Sequence, residues 1–273
     1  MKRPVFSCLL LSILLGAASC NRHIYVPNTV NVPLLKERHE FKGSLSPTNY
    51  QAAFAVSNHV AVMANGQYVF RFDPPGVTNE GDDLLLNDNT RGGLIEGAVG
   101  YFTSMDLKKR MMFDVFAGYG NGSFKTITKG YNSGSAADRN DYLLKSRFNK
   151  FFIQPSVGFV HPVVETAFSS RVSLVQFYQL YAGGKAFENS GERRANFLKI
   201  GDKLVPFFEP TFTVRVGYKY VKFQAQLQFS LLLNDAQYSG YEISEYFQPV
   251  AFGMGASINI AQWYKEVGWR RGR

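Results

Sequence analysis

Residues 220–233, YVKFQAQLQFSLLL, alternate without a break. Val221, Phe223, Ala225, Leu227, Phe229 and Leu231 fall on one side; Lys222, Gln224, Gln226, Gln228 and Ser230 fall on the other. A helix cannot use a period of two, whereas a β-strand with two unlike faces requires it. The device recurs along the chain and predicts ten strands, at 40–46, 50–56, 60–72, 93–103, 111–124, 143–160, 168–181, 205–218, 220–233 and 246–260. Short connections are expected at 57–59, 105–110, 161–166 and near Lys219, and long ones at 73–92, 126–142, 182–204 and 234–245. Short and long alternate, so the long loops gather at one end. Outer-membrane barrels have this asymmetry, with short periplasmic turns and longer external loops. An even strand number then puts both chain ends at the short-turn end.

Alternation alone does not say which face points outward. A soluble barrel or sandwich would bury the apolar face and cover its polar face with Lys, Glu and Asp. The polar face here is mostly Gln, Ser, Thr, Asn and Gly, and aromatics such as Tyr68, Phe70, Tyr101, Tyr218, Tyr220 and Tyr246 cluster near strand ends. That is the chemistry of a narrow polar lumen and of interfacial girdles. The expected fold is all-β: an up-and-down antiparallel transmembrane β-barrel over 40–261. A soluble lipocalin-like binder is the alternative.

The N-terminus adds an export signal over 1–19: Lys2 and Arg3, an apolar run at 5–15, then Gly16-Ala17-Ala18-Ser19 before Cys20. Small residues before a Cys resemble a lipobox, although Ala17 stands where Leu is commonest. Cys8 leaves with the signal, so the mature chain has a single Cys and no disulfide partner. Acylation of Cys20 is therefore expected, in the inner leaflet on the periplasmic side. Residues 20–39, with Pro27 and Pro33 and no clean period, read as a lipid-anchored extended tether. Residues 262–273 form a basic tail.

Composition agrees with a β protein: of 273 residues, 24 are Phe, 15 Tyr and 25 Gly, and only 19% are charged. The signal with Cys20, the segment YVPNTVNVPL at 25–34 and QAAFAVSNHVAVMANGQY at 51–68 resemble a group of outer-membrane β-barrel lipoproteins of Bacteroidota to which no activity is assigned. The resemblance extends over the whole chain and implies location and fold, without an activity.

Charge suggests candidate sites. The net charge is +9, or +7 once Lys2 and Arg3 are removed with the signal. Basic clusters at the short-turn end (Lys108, Lys109, Arg110, Lys219, Lys222, Arg270, Arg271, Arg273) suit anionic lipid headgroups. Outer-membrane lipid is the expected partner, with lipopolysaccharide or a periplasmic protein as further candidates and a monomer as the assembly. An exported chain of this kind does not point to nucleic acid. Asp82, Asp83 and Asp88 could hold a cation between loops, but they lack EF-hand spacing, and a solvated acidic loop is the plainer reading. Gly118, Gly120 and Gly122 lie in a strand with no helix after them, unlike a phosphate loop. No metal or cofactor motif is present.

Inward charges are expected at Arg71, Glu96, Asp114, Arg171, Glu209, Arg215 and Lys222. In a confined lumen such groups pair, because an unpaired buried ion costs several kcal/mol. A network crossing the lumen, centred on the Arg forks, is expected to close it. Barrel enzymes such as omptin proteases and lipid A deacylases need a His at the outer end. His23, His39, His59 and His161 all map to the short-turn end on this topology. With no catalytic constellation, the chain reads as a non-enzyme. A structural, adhesive or partner-docking envelope barrel with a plugged lumen is expected, and a small-ligand binding or transport barrel is the alternative.

Overall fold

The computed structural model describes residues 23–70, 90–128, 140–187, 190–218, 220–234 and 243–260. The strands are β1 (Phe41–Leu45), β2 (Asn49–Ala55), β3 (Val60–Val69), β4 (Arg91–Ser104), β5 (Met111–Ile127), β6 (Leu143–Val160), β7 (Val164–Ala182), β8 (Leu204–Tyr218), β9 (Val221–Phe229), β10 (Leu231–Leu232) and β11 (Val250–Asn259). β10 resumes β9 past Ser230 and stays on β8, so the two form one stave of the wall. Each strand pairs antiparallel with the next, and β11 closes the ring by pairing with both β9 and β1. The result is a closed, up-and-down barrel of ten staves.

The apolar set of each alternation faces outward. Ile95, Val99, Phe212, Val214, Phe223 and Met254 are all exposed, Ile95 by 74%. The polar set faces inward: Gln154, Gln224, Gln226 and Gln228 are buried, as are Ser169, Ser173, Thr211 and Thr213. No helix among the described residues is long and apolar enough to cross a membrane.

Strands β5 to β8 rise beyond this band at the long-loop end. There the outward residues of β5 and β6 turn polar (Asn121, Ser123, Lys125, Lys145, Arg147, Asn149), while inward Phe124, Phe148, Val175, Phe177, Val205 and Phe207 build an apolar core. A bulge assists: the register shifts between Arg147 and Phe148, pairing Phe148 with Phe177 and leaving Tyr178 outside. Helix α1 (Gly191–Lys199), in a connection expected to be loop, caps this core. Ser190 caps its N-terminus by accepting from the Arg193 N–H at 3.4 Å. Its Phe197 packs edge-on to Tyr246, with ring centroids 5.2 Å apart. Arg193 pairs with Glu245 at 3.0 Å and ties the helix to the last loop.

The largest departure concerns the expected tether. Residues 23–35 are buried inside the barrel, most of them completely. Ile24 donates from its N–H to the Tyr246 carbonyl, and Tyr25 bridges in parallel to Phe247, so this segment enters at the long-loop end. At the other end Lys36 donates its N–H to Glu40, just before β1 begins. The segment thus runs the length of the lumen. The C-terminal end of β11 lies at the short-turn end as expected; the N-terminal side lies opposite, with His23 at the long-loop mouth.

Candidate functional site

The site is the lumen and the segment that fills it. An extended chain with no neighbouring strand must satisfy its peptide groups through side chains. The inward Gln, Ser, Lys and Arg residues do this. The carbonyl of Ile24 accepts from Ser146 Oγ (2.6 Å), that of Thr29 from Gln51 (2.8 Å), that of Val30 from Gln226 (2.6 Å) and that of Asn31 from Gln154 (2.7 Å). The carbonyl of Val32 accepts from Arg215 Nη2 at 2.8 Å, and that of Leu34 from Lys42 Nζ at 2.9 Å. Two plug N–H groups donate back, Thr29 to Asn49 and Val30 to Gln228, both at 3.1 Å. The amide-rich face of the wall is therefore a ladder of donors for one extended peptide. Pro27 and Pro33 carry no N–H and so need no acceptor from this donor-rich wall.

The wall also leaves room for it. A Cβ on Gly253 would stand 2.8 Å from Thr29 Cγ2, and one on Gly158 would stand 2.6 Å from Leu34 Cδ1. Both glycines are inward positions where only a hydrogen fits beside the segment.

Charges inside fall into two clusters. In the central one, Lys150 Nζ lies 3.3 Å from Glu96 and 3.0 Å from Glu209, while Arg171 Nη1 lies 3.3 Å from Glu96. Asn28 of the plug sits among them, donating to Glu96 at 2.7 Å and accepting from Arg171 at 3.3 Å. Tyr25 donates to Glu209 at 2.8 Å. Two cations meet two carboxylates, so the cluster is balanced. Near the short-turn end Glu165 gathers three cations: Lys222 at 2.9 Å, Arg215 at 3.2 Å and Lys42 at 3.7 Å.

Of the inward charges expected from sequence, Glu96, Arg171 and Glu209 come together in the central cluster, and Arg215 and Lys222 in the lower one. Asp114 is buried but makes no ion pair among the described residues. Arg71, Cys20 and the acidic Asp82, Asp83 and Asp88 lie outside the described residues. The centres are carboxylates bridging cations rather than Arg forks, and Lys150, Glu165 and Lys42 are additional members. Glu165 falls in the short connection expected at 161–166, but β7 begins at Val164 and turns it inward. The central cluster joins β4, β6, β7 and β8, and both clusters clamp the buried segment.

The histidines also divide differently. His39, His59 and His161 lie at the short-turn end, whereas His23 stands at the long-loop mouth, where Thr90 donates to its carbonyl at 3.3 Å. Burial there pushes its imidazole down to about 4. No protein-family model matches the chain, and no curated protein matches it either.

Proposed function

We propose that this chain is an outer-membrane β-barrel lipoprotein, closed by its own N-terminal segment, that serves the envelope as a structural or partner-docking barrel. The observation that carries this reading is the orientation of the alternation. Exposed apolar side chains encircle the wall (Val62, Ile95, Val99, Phe212, Phe223, Met254), and the amide-rich set is inside. A contiguous apolar surface on this scale is far larger than water-soluble monomers expose. Hydrocarbon is the solvent that suits it, and a closed barrel is the β form that leaves no unpaired edge in lipid.

The long loops then face outward, and buried residues 23–35 run through the lumen. Acylation of Cys20 belongs to the same reading, with one change of side. Cys20 is at most about 10 Å of extended chain from His23 at the long-loop mouth, so its lipid joins the outer leaflet rather than the inner one. A second reading, a conduit for a small ligand, draws on the polar lining that withdrawal of residues 23–36 would uncover.

Two measurements test this. The protein should partition with the outer membrane and migrate differently in gels before and after boiling; a mature domain soluble without detergent would contradict the proposal. In planar bilayers the full chain should be silent, and a variant lacking 23–36 should conduct. Steady conductance from the full chain would favour the conduit.

A further inference from the structure

Above the apolar band, three adjacent strands carry cations at neighbouring outward positions. Arg91 on β4 pairs in register with Lys125 on β5, and Lys125 pairs with Lys145 on β6. Arg147 stands two residues further along β6, opposite Ser123. Lys125 and Arg147 are exposed, and Arg91 and Lys145 are half-buried. Like charges directly opposite each other on a sheet are destabilising. None of the four forms an ion pair among the described residues, although Asp141 nearby pairs with Lys185 at 3.3 Å. Among the described residues no carboxylate offsets the repulsion.

The height of the strip matters as much as its charge. Tyr119 on β5 is opposite Phe151 on β6, both outward and exposed, and they mark the upper edge of the apolar band. Just above them the Tyr119 hydroxyl donates to Asn149 at 2.7 Å, and Asn121 donates to Asn149 at 2.9 Å. The cations follow above this polar belt, with exposed Tyr181 opposite Lys145 on the flank, an aromatic of the kind that sits at headgroup level in a membrane. Long Lys and Arg side chains reach headgroup phosphates from such positions. The strip spans three strands, roughly 10 Å at the usual ~4.8 Å strand spacing, which is wide enough for more than one phosphate.

We propose that Arg91, Lys125, Lys145 and Arg147 form a docking strip for a lipid of the leaflet at the long-loop end whose headgroup carries more than one phosphate. The proposal rests on the membrane reading above. The phosphates supply a counter-charge that the described residues do not, and Arg can grip phosphate bidentately.

The test uses the full chain in phosphatidylcholine nanodiscs doped with bisphosphorylated lipid A, counting retained lipid A per barrel by native mass spectrometry. Wild type should retain it, and Lys125→Gln/Lys145→Gln/Arg147→Gln should lose tenfold or more. Lipid A stripped of phosphate should not be retained by either. The variant Arg194→Gln/Lys199→Gln/Lys203→Gln removes equal charge from exposed positions on and just after α1 and should behave as wild type. Equal retention by the strip variant, an equal loss in the α1 variant, or retention without phosphate would overturn the proposal. So would displacement of the lipid by millimolar inorganic phosphate, which would make the strip a site for the free anion. A chain that inserts but shows no preference defeats the strip alone; a chain that does not insert defeats the membrane reading with it.

Discussion

The Tyr25 hydroxyl donates to the Glu209 carboxylate at 2.8 Å, joining the buried N-terminal segment to the wall across 184 positions of sequence. The ring is held as firmly as the hydroxyl: it stacks on Phe207 with centroids 4.9 Å apart and meets Phe148 edge-on at 5.3 Å. Glu209 keeps two further partners, Lys150 and Ser173. Tyr25→Phe therefore preserves the packing and removes one hydrogen bond to a charged acceptor. It should cost about 1.5–3 kcal/mol of barrel stability in urea unfolding. Wild-type stability in the variant would mean that the contact does not hold the segment.

Lys150 is the cation shared by Glu96 and Glu209, with all three side chains fully buried. Lys150→Met leaves Arg171 alone against two carboxylates. Stranding a buried charge costs about 3–5 kcal/mol, and the same unfolding assay should show a loss of that size. Adding Glu209→Gln restores the balance between Arg171 and Glu96 and should recover part of the loss. A double variant weaker than the sum of the singles would contradict this account of the cluster.

His23 predicts a pH response. Its imidazole is held at about 4 in the folded protein because burial disfavours the charged form, against an ordinary value of 6.5. Between those values the unfolded chain binds more protons, so stability falls as pH drops through that window. The loss approaches about 3 kcal/mol below pH 4, from 1.36 kcal/mol per unit. Hydrogen-exchange protection at Ile24 and Tyr25, taken relative to the intrinsic exchange rate at each pH, should fall between pH 6.5 and 4, and His23→Leu should flatten that response. An unchanged profile in His23→Leu would assign the response to another group.

The wall was readable because each strand has two different solvents, lipid outside and a polar lumen inside, and that contrast writes a period of two into residues such as 221–231. The segment at 23–36 has no such contrast. It is surrounded on every side, so Ile24, Tyr25 and Val26 are buried in succession, and polar Asn28, Thr29 and Asn31 are buried with them. A chain buried all round shows no alternation, and two prolines made it look like a linker. The signal that was available was apolar density: Ile24, Tyr25, Val26, Val30, Val32, Leu34 and Leu35 are too many for a solvated tether. Lys150 was legible, because within the strand expected at 143–160 it shares the parity of inward Gln154 and Ser156. Glu165 was hidden because it fell in the connection expected at 161–166, whereas β7 begins at Val164.

The central claim is that residues 23–36 thread the lumen of the folded barrel, and a single engineered disulfide tests it most directly. An ideal Cβ on Gly253 lies 3.7 Å from Thr29 Cβ, within the ~3.5–4.5 Å span that a disulfide bridges. In a Cys20→Ser background, Thr29→Cys/Gly253→Cys should oxidise within one chain to high yield under mild conditions, and the product should migrate as a compact species that reductant reverses. A correctly folded, heat-modifiable barrel in which both thiols stay free would contradict the claim that the N-terminal segment lies inside.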